Sequence, residues 1–339
     1  MTQQGITRRG LMVGAAAATM ILAAATAAEA QMKVKVVFPT AATTWAVPFV
    51  AAQDQGWFKE FGVEIEEVWL TGDATGLRTV IAGDNDVALT GPGPLYSAIA
   101  GGAKVKNIGS WQPVVDYNIV AKKGITSLEQ LKDKTFAGIQ PGEMPNELPK
   151  LLFKNSNIDA SKVEFIAVGG HPARLQAVVA GKADAALVNT FTAVSGAAKG
   201  DVTILRKLKP DFPNLGYLML AARDDALQNP DKRKALVGFM AGVIKGSRWA
   251  VKNSDAASEL LAKRMKLPAE QLPLLKEVVK DLTDQGMWGV DGGASKAVYD
   301  YTEKVHLEFN LIKAPVPAKD GLDQSIADEA VKRLGNYAG

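Results

Sequence analysis

The 339-residue chain has no cysteine and only two histidines, His171 and His306. Without thiols there is no disulfide scaffold, no thiolate zinc or iron–sulfur site and no cysteine nucleophile. No HExxH, Walker A or GxSxG motif occurs, which removes the common zinc-protease, nucleotide and serine-hydrolase signatures. Gly91-Pro92-Gly93-Pro94 comes near a dinucleotide loop, but Tyr96 stands at its third glycine position and the prolines restrict the turn. An excess of one charge is also missing. The 39 basic and 36 acidic side chains are interspersed, net +3, without the basic stripe of a nucleic-acid surface. Accordingly no nucleic acid, metal, cofactor or enzymatic activity is expected. Aromatic residues are sparse at 7%, yet 47% of the chain is apolar against 22% charged, which excludes disorder and coiled coil and suits packed cores. At this length two such cores are expected.

Extended apolar sequence occurs once, at the N-terminus. Thr7-Arg8-Arg9-Gly10-Leu11-Met12 leads into an alanine-rich run from Leu11 to Ala28, and Ala28-Glu29-Ala30 fits a small-x-small cleavage site. The run is long enough to span a membrane. Alanine is weakly hydrophobic, however, and the run ends at a processing site, so it reads as an export signal cleaved after about Ala30. The paired arginines fit a twin-arginine signal and equally the general secretory route. Either route leads to the periplasm. Cleavage removes Arg8, Arg9 and Glu29 and leaves a net charge of +2.

The most informative feature is an internal repeat. Leu77–Leu89 returns 98 residues later as Leu175–Leu187, with seven of thirteen positions identical and no gap. Each copy reads as a helix stopped by glycine (Gly83, Gly181), a short turn holding an aspartate (Asp86, Asp184) and a buried strand. The surroundings match. Strands are expected at Lys33–Phe38 and Val63–Trp69 around a helix Trp45–Lys59. In the second half they are expected at Thr135–Ile139 and Val163–Val168 around a helix Asn146–Asn155. Strand–helix–strand–helix–strand in each half means a parallel sheet covered by helices. A period near 100 residues is too long for a solenoid, so the repeat builds two α/β lobes. Lys106–Gly109 and Leu215–Ala222 are further strands. Asn229-Pro230-Asp231 opens a helix reaching roughly Val251, with an N-cap, a first-turn proline and an acidic first turn. Later helices at Ser254, Leu272–Leu282, Ser295–Phe309 and Asp323–Leu334 lack strands and are expected to wrap the first lobe. The chain then crosses between lobes twice, near 113–118 and 213–217. Residues 31–115 and 216–339 form one lobe, 116–215 the other.

In open parallel sheets the ligand crevice lies beyond the carboxyl ends of the strands. Those loops are Thr40–Trp45, Thr71–Ala74 and Thr90–Pro94 in the first lobe. In the second they are Gln140–Asn146, Gly169–Pro172 and Asn189–Thr192. Each leads into a helix start, where free N–H groups and the dipole favour an anion or polar acceptor. Two facing rims make a clamshell that closes by hinge motion.

Trp57-Phe58 followed by Gly62-Val63-Glu64-Ile65, Ala82-Gly83 ahead of Asp86, and Ile125-Thr126-Ser127-Leu128-Glu129-Gln130-Leu131-Lys132, behind an export signal, resemble one family. It is the periplasmic solute-binding proteins of ABC importers, in the nitrate/sulfonate/taurine branch that also holds thiamine-pyrimidine-precursor binders. The likeness runs over roughly residues 33–225. It implies a type II periplasmic binding protein fold of class α/β: two lobes joined by a two-strand hinge with a ligand cleft between them. It further implies a monomer that binds a small molecule, with a membrane permease and its cytoplasmic ATPase as partners. A ligand-presenting sensor accessory protein is the alternative, since nothing in the chain separates the two roles.

By the same resemblance, ligand contacts fall at Thr43, Thr44 and Trp45 and at Thr90 and Gly91. The second rim departs from sulfonate-type relatives: Gln140, Glu143 and Asn146 stand where small hydroxyl residues are common. A carboxylate there disfavours a sulfonate or nitrate and suits an amine, amidine or heterocyclic N–H. Glu143 equally serves to favour the following helix start. Trp45 and Phe191 either stack on a planar ligand or pack within their lobes, and the same holds for Trp111 and Tyr217 near the crossings. Asn146 and Asn189 are ligand contacts or caps. His171, just before Pro172, caps a helix or meets the ligand, while Arg174 lies on a solvated helix face or reaches an anion. Thr126-x-x-Glu129 reads as a capping box.

Overall fold

The computed structural model describes residues 31–139, 144–293 and 295–339; the export signal and its cleavage site lie outside them. Among the described residues there are ten strands: β1 Met32–Phe38, β2 Val63–Trp69, β3 Val87–Thr90, β4 Val105–Gly109, β5 Asn118–Lys122, β6 Thr135–Gly138, β7 Glu164–Ala167, β8 Ala185–Val188, β9 Val202–Lys207 and β10 Met219–Arg223. They form two five-stranded sheets, ordered β2-β1-β3-β10-β4 and β7-β6-β8-β5-β9. Pairing is parallel around β1 and around β6. The exceptions are β10 in the first sheet and β5 in the second, each antiparallel to both neighbours. These are the two strands that flank the crossings, so each sheet has one reversed strand.

Alternation along the strands builds a core on each sheet face, because successive side chains point to opposite sides. Val36 and Phe38 enter one first-lobe cluster, and Val37 between them enters the other. Ala185 and Leu187 enter one second-lobe cluster, Ala186 and Val188 the other. The helices over both faces explain why these strands are continuous apolar runs.

The repeat marks the scaffold. The helices Asp73–Ala82 and His171–Val179 precede β3 and β8. Gly83 (φ +90°) and Gly181 (φ +75°) hold the left-handed turn that ends each helix, which a side chain would strain. The following aspartates make the same pair of bonds in both lobes. Asp86 Oδ2 accepts from Lys35 N–H at 2.9 Å and Asp184 Oδ2 from Thr135 N–H at 3.0 Å. Their own N–H groups donate to the carbonyls of Lys35 and Thr135. The repeated aspartate therefore staples the turn to β1 or β6. Burial pushes the Asp184 carboxyl up, but bonds from Thr135 and Lys122 and the nearby lysines outweigh this and hold it below the usual range.

Several boundaries shift for local reasons. The expected helix Trp45–Lys59 is a 3-10 turn Thr44–Ala46, a helix Val47–Asp54 and a short helix Trp57–Glu60, broken at Gly56 (φ +72°). The expected strand Leu215–Ala222 begins at Met219, because residues 215–217 belong to the crossing. There Val115 N–H donates to Leu215 O at 3.1 Å and Tyr217 N–H to Pro113 O at 3.2 Å, and Val114 bridges Gly216 antiparallel. The hinge thus has two strands. Gln130, not Glu129, reaches back to Thr126 N–H, at 2.7 Å.

Asn229 caps the helix Pro230–Lys252 through Oδ1. The helices beyond do more than wrap the first lobe. In Leu272–Asp284, Leu275 and Val278 enter the first-lobe core while Asp281 pairs with Lys207 of β9 at 2.7 Å. In Lys296–Glu308, Tyr299 packs in the first lobe, Val305 in the second, and Glu308 pairs with Lys154 at 2.6 Å. Thr302 Oγ1 accepts from Gly216 N–H at 2.6 Å, fixing this helix to the crossing. A helix with apolar residues on two sides buries both, which is why it spans the lobes. No helix among the described residues is long and apolar enough to cross a membrane.

Candidate functional site

The first rim is an aromatic wall. Phe38, at the carboxyl end of β1, stacks on Trp45 at 5.6 Å and on Trp69 at 4.6 Å. Trp45 stacks in turn on Trp111 at 6.1 Å. Trp111 is fully buried and Trp45 is 5% exposed, so both are core residues first and line the site only by their edges. Trp69, at the end of β2 and 40% exposed, is the outer ring of the ladder. The sequence reading did not single it out.

Behind the wall, each lobe ties two rim loops together, and the ties occupy positions 98 residues apart. In the first lobe Asp73 Oδ2 accepts from Gly91 N–H at 3.0 Å. In the second His171 Nδ1 accepts from Asn189 N–H at 3.0 Å. Residues 73 and 171 both open the helix of the repeat, and 91 and 189 both follow its strand. Accepting at Nδ1 fixes the proton on Nε2 and keeps the ring neutral. Burial, and then the charge of Arg174, push the His171 imidazolium down to about 3. His171 therefore serves the neighbouring helix start instead of capping its own.

Arg174 departs from the solvated face expected of it. It is 1% exposed. Its Nε donates to Leu187 O at 2.6 Å, Nη1 to Gly169 O at 2.5 Å and Nη2 to His171 Nδ1 at 2.9 Å. One turn into the helix, its side chain lies back over the sheet end, and bonds to carbonyls let the charge be buried.

Between the rims stands Asp116, on the first crossing and 3% exposed. Its Oδ1 accepts from Thr190 N–H at 3.1 Å and from the Thr190 hydroxyl, and its Oδ2 from Thr44 Oγ1 at 3.5 Å. Asn118 Nδ2 also donates to Thr190 Oγ1, at 2.9 Å. Thr44 belongs to the first rim and Thr190 to the second, so one carboxylate touches both. Burial pushes its pKa up to about 6, against Thr190 and, more weakly, Gln112 and Thr44. Gln112 is fully buried beside this carboxylate, near enough to help lower its pKa, and Trp111 Nε1 is buried without a hydrogen-bond partner. Tyr217 completes the junction. Its hydroxyl is pushed well above the usual range by burial, then by Tyr117, Asp116 and Asp73. Its ring meets Tyr117 at 5.4 Å.

The remaining expected residues divide. Thr43 caps the 3-10 turn without a side-chain bond, and Thr90 is buried with its hydroxyl 3.3 Å from Gly91 O. Asn146 Oδ1 accepts from Ile139 N–H at 3.0 Å and Asn189 Oδ1 from Thr192 N–H at 3.0 Å, so both act as local braces. Phe191 packs across the junction against the first-lobe core. Gln140 and Glu143 lie outside the described residues. Asp73, Gln112, Asp116, Asn118 and Thr190 were not singled out in advance. Continuing the 98-residue offset upstream would have paired Asp73 with His171. Nothing in the sequence marks Asp116, because the crossing lies outside the repeat.

A family model described as NMT1/THI5 like matches residues 43–257. Among curated proteins, one called "Putative binding protein YtlA" of Bacillus subtilis (strain 168) is 29% identical over 154 residues. That match covers 44% of this chain and 46% of the relative, so it spans about half of that protein. Solved structures share the fold. The periplasmic aliphatic sulphonate binding protein SsuA of Escherichia coli is 18% identical over 86% of this chain and 92% of its own, with a TM-score of 0.68. The periplasmic nitrate-binding protein NrtA of Synechocystis PCC 6803 is 16% identical over 90% of both chains, with a TM-score of 0.71. At such identities the likeness is one of fold. With well over half of its length matched by the family model, the chain belongs to the NMT1/THI5-like family.

Proposed function

We propose that this member of the NMT1/THI5-like family is the extracytoplasmic solute-binding component of an ABC importer. It captures a small organic solute between its lobes, closes, and presents the closed form to a membrane permease whose ATPase is cytoplasmic. Binding is non-covalent and no bond of the solute is altered. The observation that carries this is the junction at Asp116, where one buried carboxylate bonds to Thr44 of one rim and Thr190 of the other. A solute in that position is read by both lobes at once, which couples binding to closure. Export through residues 1–30 to the periplasm, as a monomer, belongs to the same reading.

Sulfonate, taurine-like and nitrate ligands come from the likeness to SsuA and NrtA, whose names give sulphonate and nitrate as what those proteins bind. Pyrimidine-like and other N-heterocyclic ligands are supported by the aromatic wall and the carboxylate at the junction. A thermal-shift screen decides between them, with alkanesulfonates, taurine, nitrate, aromatic carboxylates, pyrimidines and amines. A ligand at 100 times its dissociation constant adds about 2.7 kcal/mol, which raises the midpoint by roughly 5–10 °C at this size. One chemical class shifting the midpoint is the expected result. No shift from any class, repeated after unfolding and refolding to strip a co-purified ligand, contradicts the proposal.

A further inference from the structure

The helix Lys296–Glu308 carries two stripes at helical spacing. Tyr299, Glu303 and His306 line one side, and Tyr301, Val305 and Glu308 line another. The first stripe is fastened to the first lobe by hydrogen bonds as well as packing. The Tyr96 hydroxyl donates to Tyr299 O at 3.0 Å, Val316 N–H donates to Glu303 Oε1 at 2.7 Å, and the His306 ring meets that of Tyr96 at 5.5 Å. Tyr299 and Val316 belong to one first-lobe cluster, with Leu307 packed against it. The chain enters and leaves the helix through that lobe, since Val298 packs on one of its cores and Ile312 lies in the other.

The second stripe meets the second lobe differently. Val305 is buried in its core, with Tyr301 and Phe309 packed alongside. Its polar link is the ion pair of Glu308 with Lys154, whose side chains are 38% and 67% exposed, and exposed pairs add little. Apolar contact parts without leaving a buried donor or acceptor unpaired, whereas breaking the bonds of Tyr96 and Val316 would leave one. Thr302 stands between the stripes, fully buried, and its Oγ1 accepts from Gly216 N–H of the second crossing at 2.6 Å. The helix therefore lies lengthwise between the lobes and touches the hinge at its middle.

We infer that the helix Lys296–Glu308 is a wedge in the hinge. It travels with the first lobe, turns about Thr302, and limits the swing of the second lobe through the seam of Tyr301 and Val305, the surface that parts on opening. This rests on the reading that the lobes close around a solute. A tighter seam raises the closed fraction, and affinity for a solute held by the closed form rises in proportion.

The chain has no cysteine, so a pair of spin labels can be placed uniquely at Arg78→Cys and Gln176→Cys, exposed positions that the repeat makes equivalent, one in each lobe. Electron–electron double resonance on the labelled protein without added solute reads the distance between them. Val305→Ala and Tyr301→Ala are each expected to shift the distribution to longer distances. Leu307→Ala, on the first-lobe side, is expected to lower the melting midpoint and leave the distances unchanged. A distribution that superimposes on that of the wild type in a folded Val305→Ala or Tyr301→Ala overturns the inference and leaves the helix as ordinary core. An equal shift in Leu307→Ala overturns it too, because the helix then does not travel with the first lobe. If Val305→Ala does not melt cooperatively, the half-buried Tyr301→Ala decides alone. No solute enters the measurement, so a failure here leaves the solute-binding reading to the thermal-shift screen.

Discussion

The two lobes share a scaffold and differ in what they present. Both carry the glycine-stopped helix and the aspartate staple, at positions 98 residues apart. Both tie their rim loops with one side chain accepting from one N–H, yet the tie is the carboxylate of Asp73 in the first lobe and the imidazole of His171 in the second. The first rim is an aromatic ladder from Phe38 to Trp111, whereas the second is a polar network of half-buried His171 with buried Arg174, Asn189 and Thr190. The lesson is that the duplicated features are those that close the backbone, and the features that diverge are those at the carboxyl ends of the strands. Asp116 belongs to neither copy and joins them.

The comparison breaks most visibly at the aromatic wall. Trp45→Ala is expected to cost about 3–5 kcal/mol, as for other buried large-to-small changes, and to lower the melting midpoint whether or not solute is present. A binding defect in a variant of unchanged stability would show that Trp45 is a ligand contact alone. The staples sharpen it. Asp86→Ala and Asp184→Ala each leave a strand N–H unpaired and are expected to cost about 2–3 kcal/mol, with the two losses alike in urea unfolding. A clear inequality would mean that the copies no longer carry equal load.

The unlike ties give the smallest of these effects, and only in acid. Because the His171 pKa is depressed to about 3 from 6.5, its contribution is present above pH 6.5 and is lost as pH falls through about 3. His306, also buried and depressed to about 4, behaves likewise. His171→Gln keeps an acceptor for Asn189 N–H without the titration. It is therefore expected to be less acid-sensitive than the wild type by about 2 kcal/mol, a figure reduced for the partial exposure of the ring. Parallel stability curves for the two proteins between pH 7 and pH 4 would refute that assignment.

How much of this was legible follows from where each residue stands. Gly83, Gly181, Asp86 and Asp184 were readable because a backbone turn and a strand staple demand the same residue twice. The double crossing followed from assigning the strandless C-terminal helices to the first lobe. Trp45 and Trp111 were recognised as candidates, but whether a ring faces ligand or core depends on packing that periodicity does not encode. Arg174 was misread because a charged residue on a helix suggests solvent, and only the fold brings the carbonyls of Gly169 and Leu187 to its guanidinium. Asp116 carried no signal, since its partners Thr44 and Thr190 lie more than seventy residues away on either side.

The central claim is that a buried carboxylate is kept at the lobe junction for a solute and not for the fold. The direct measurement is the ligand-free stability of Asp116→Asn against the wild type between pH 4 and pH 7.5. With a folded pKa raised to about 6 from 3.8, the wild type gains stability as pH falls and loses it as pH rises through 6. The account predicts that the variant is the more stable protein at pH 7.5, by about 2 kcal/mol, and that its advantage shrinks toward pH 4. A variant less stable than the wild type at pH 7.5 would contradict it, by showing that the charge is there to hold Thr190 in place.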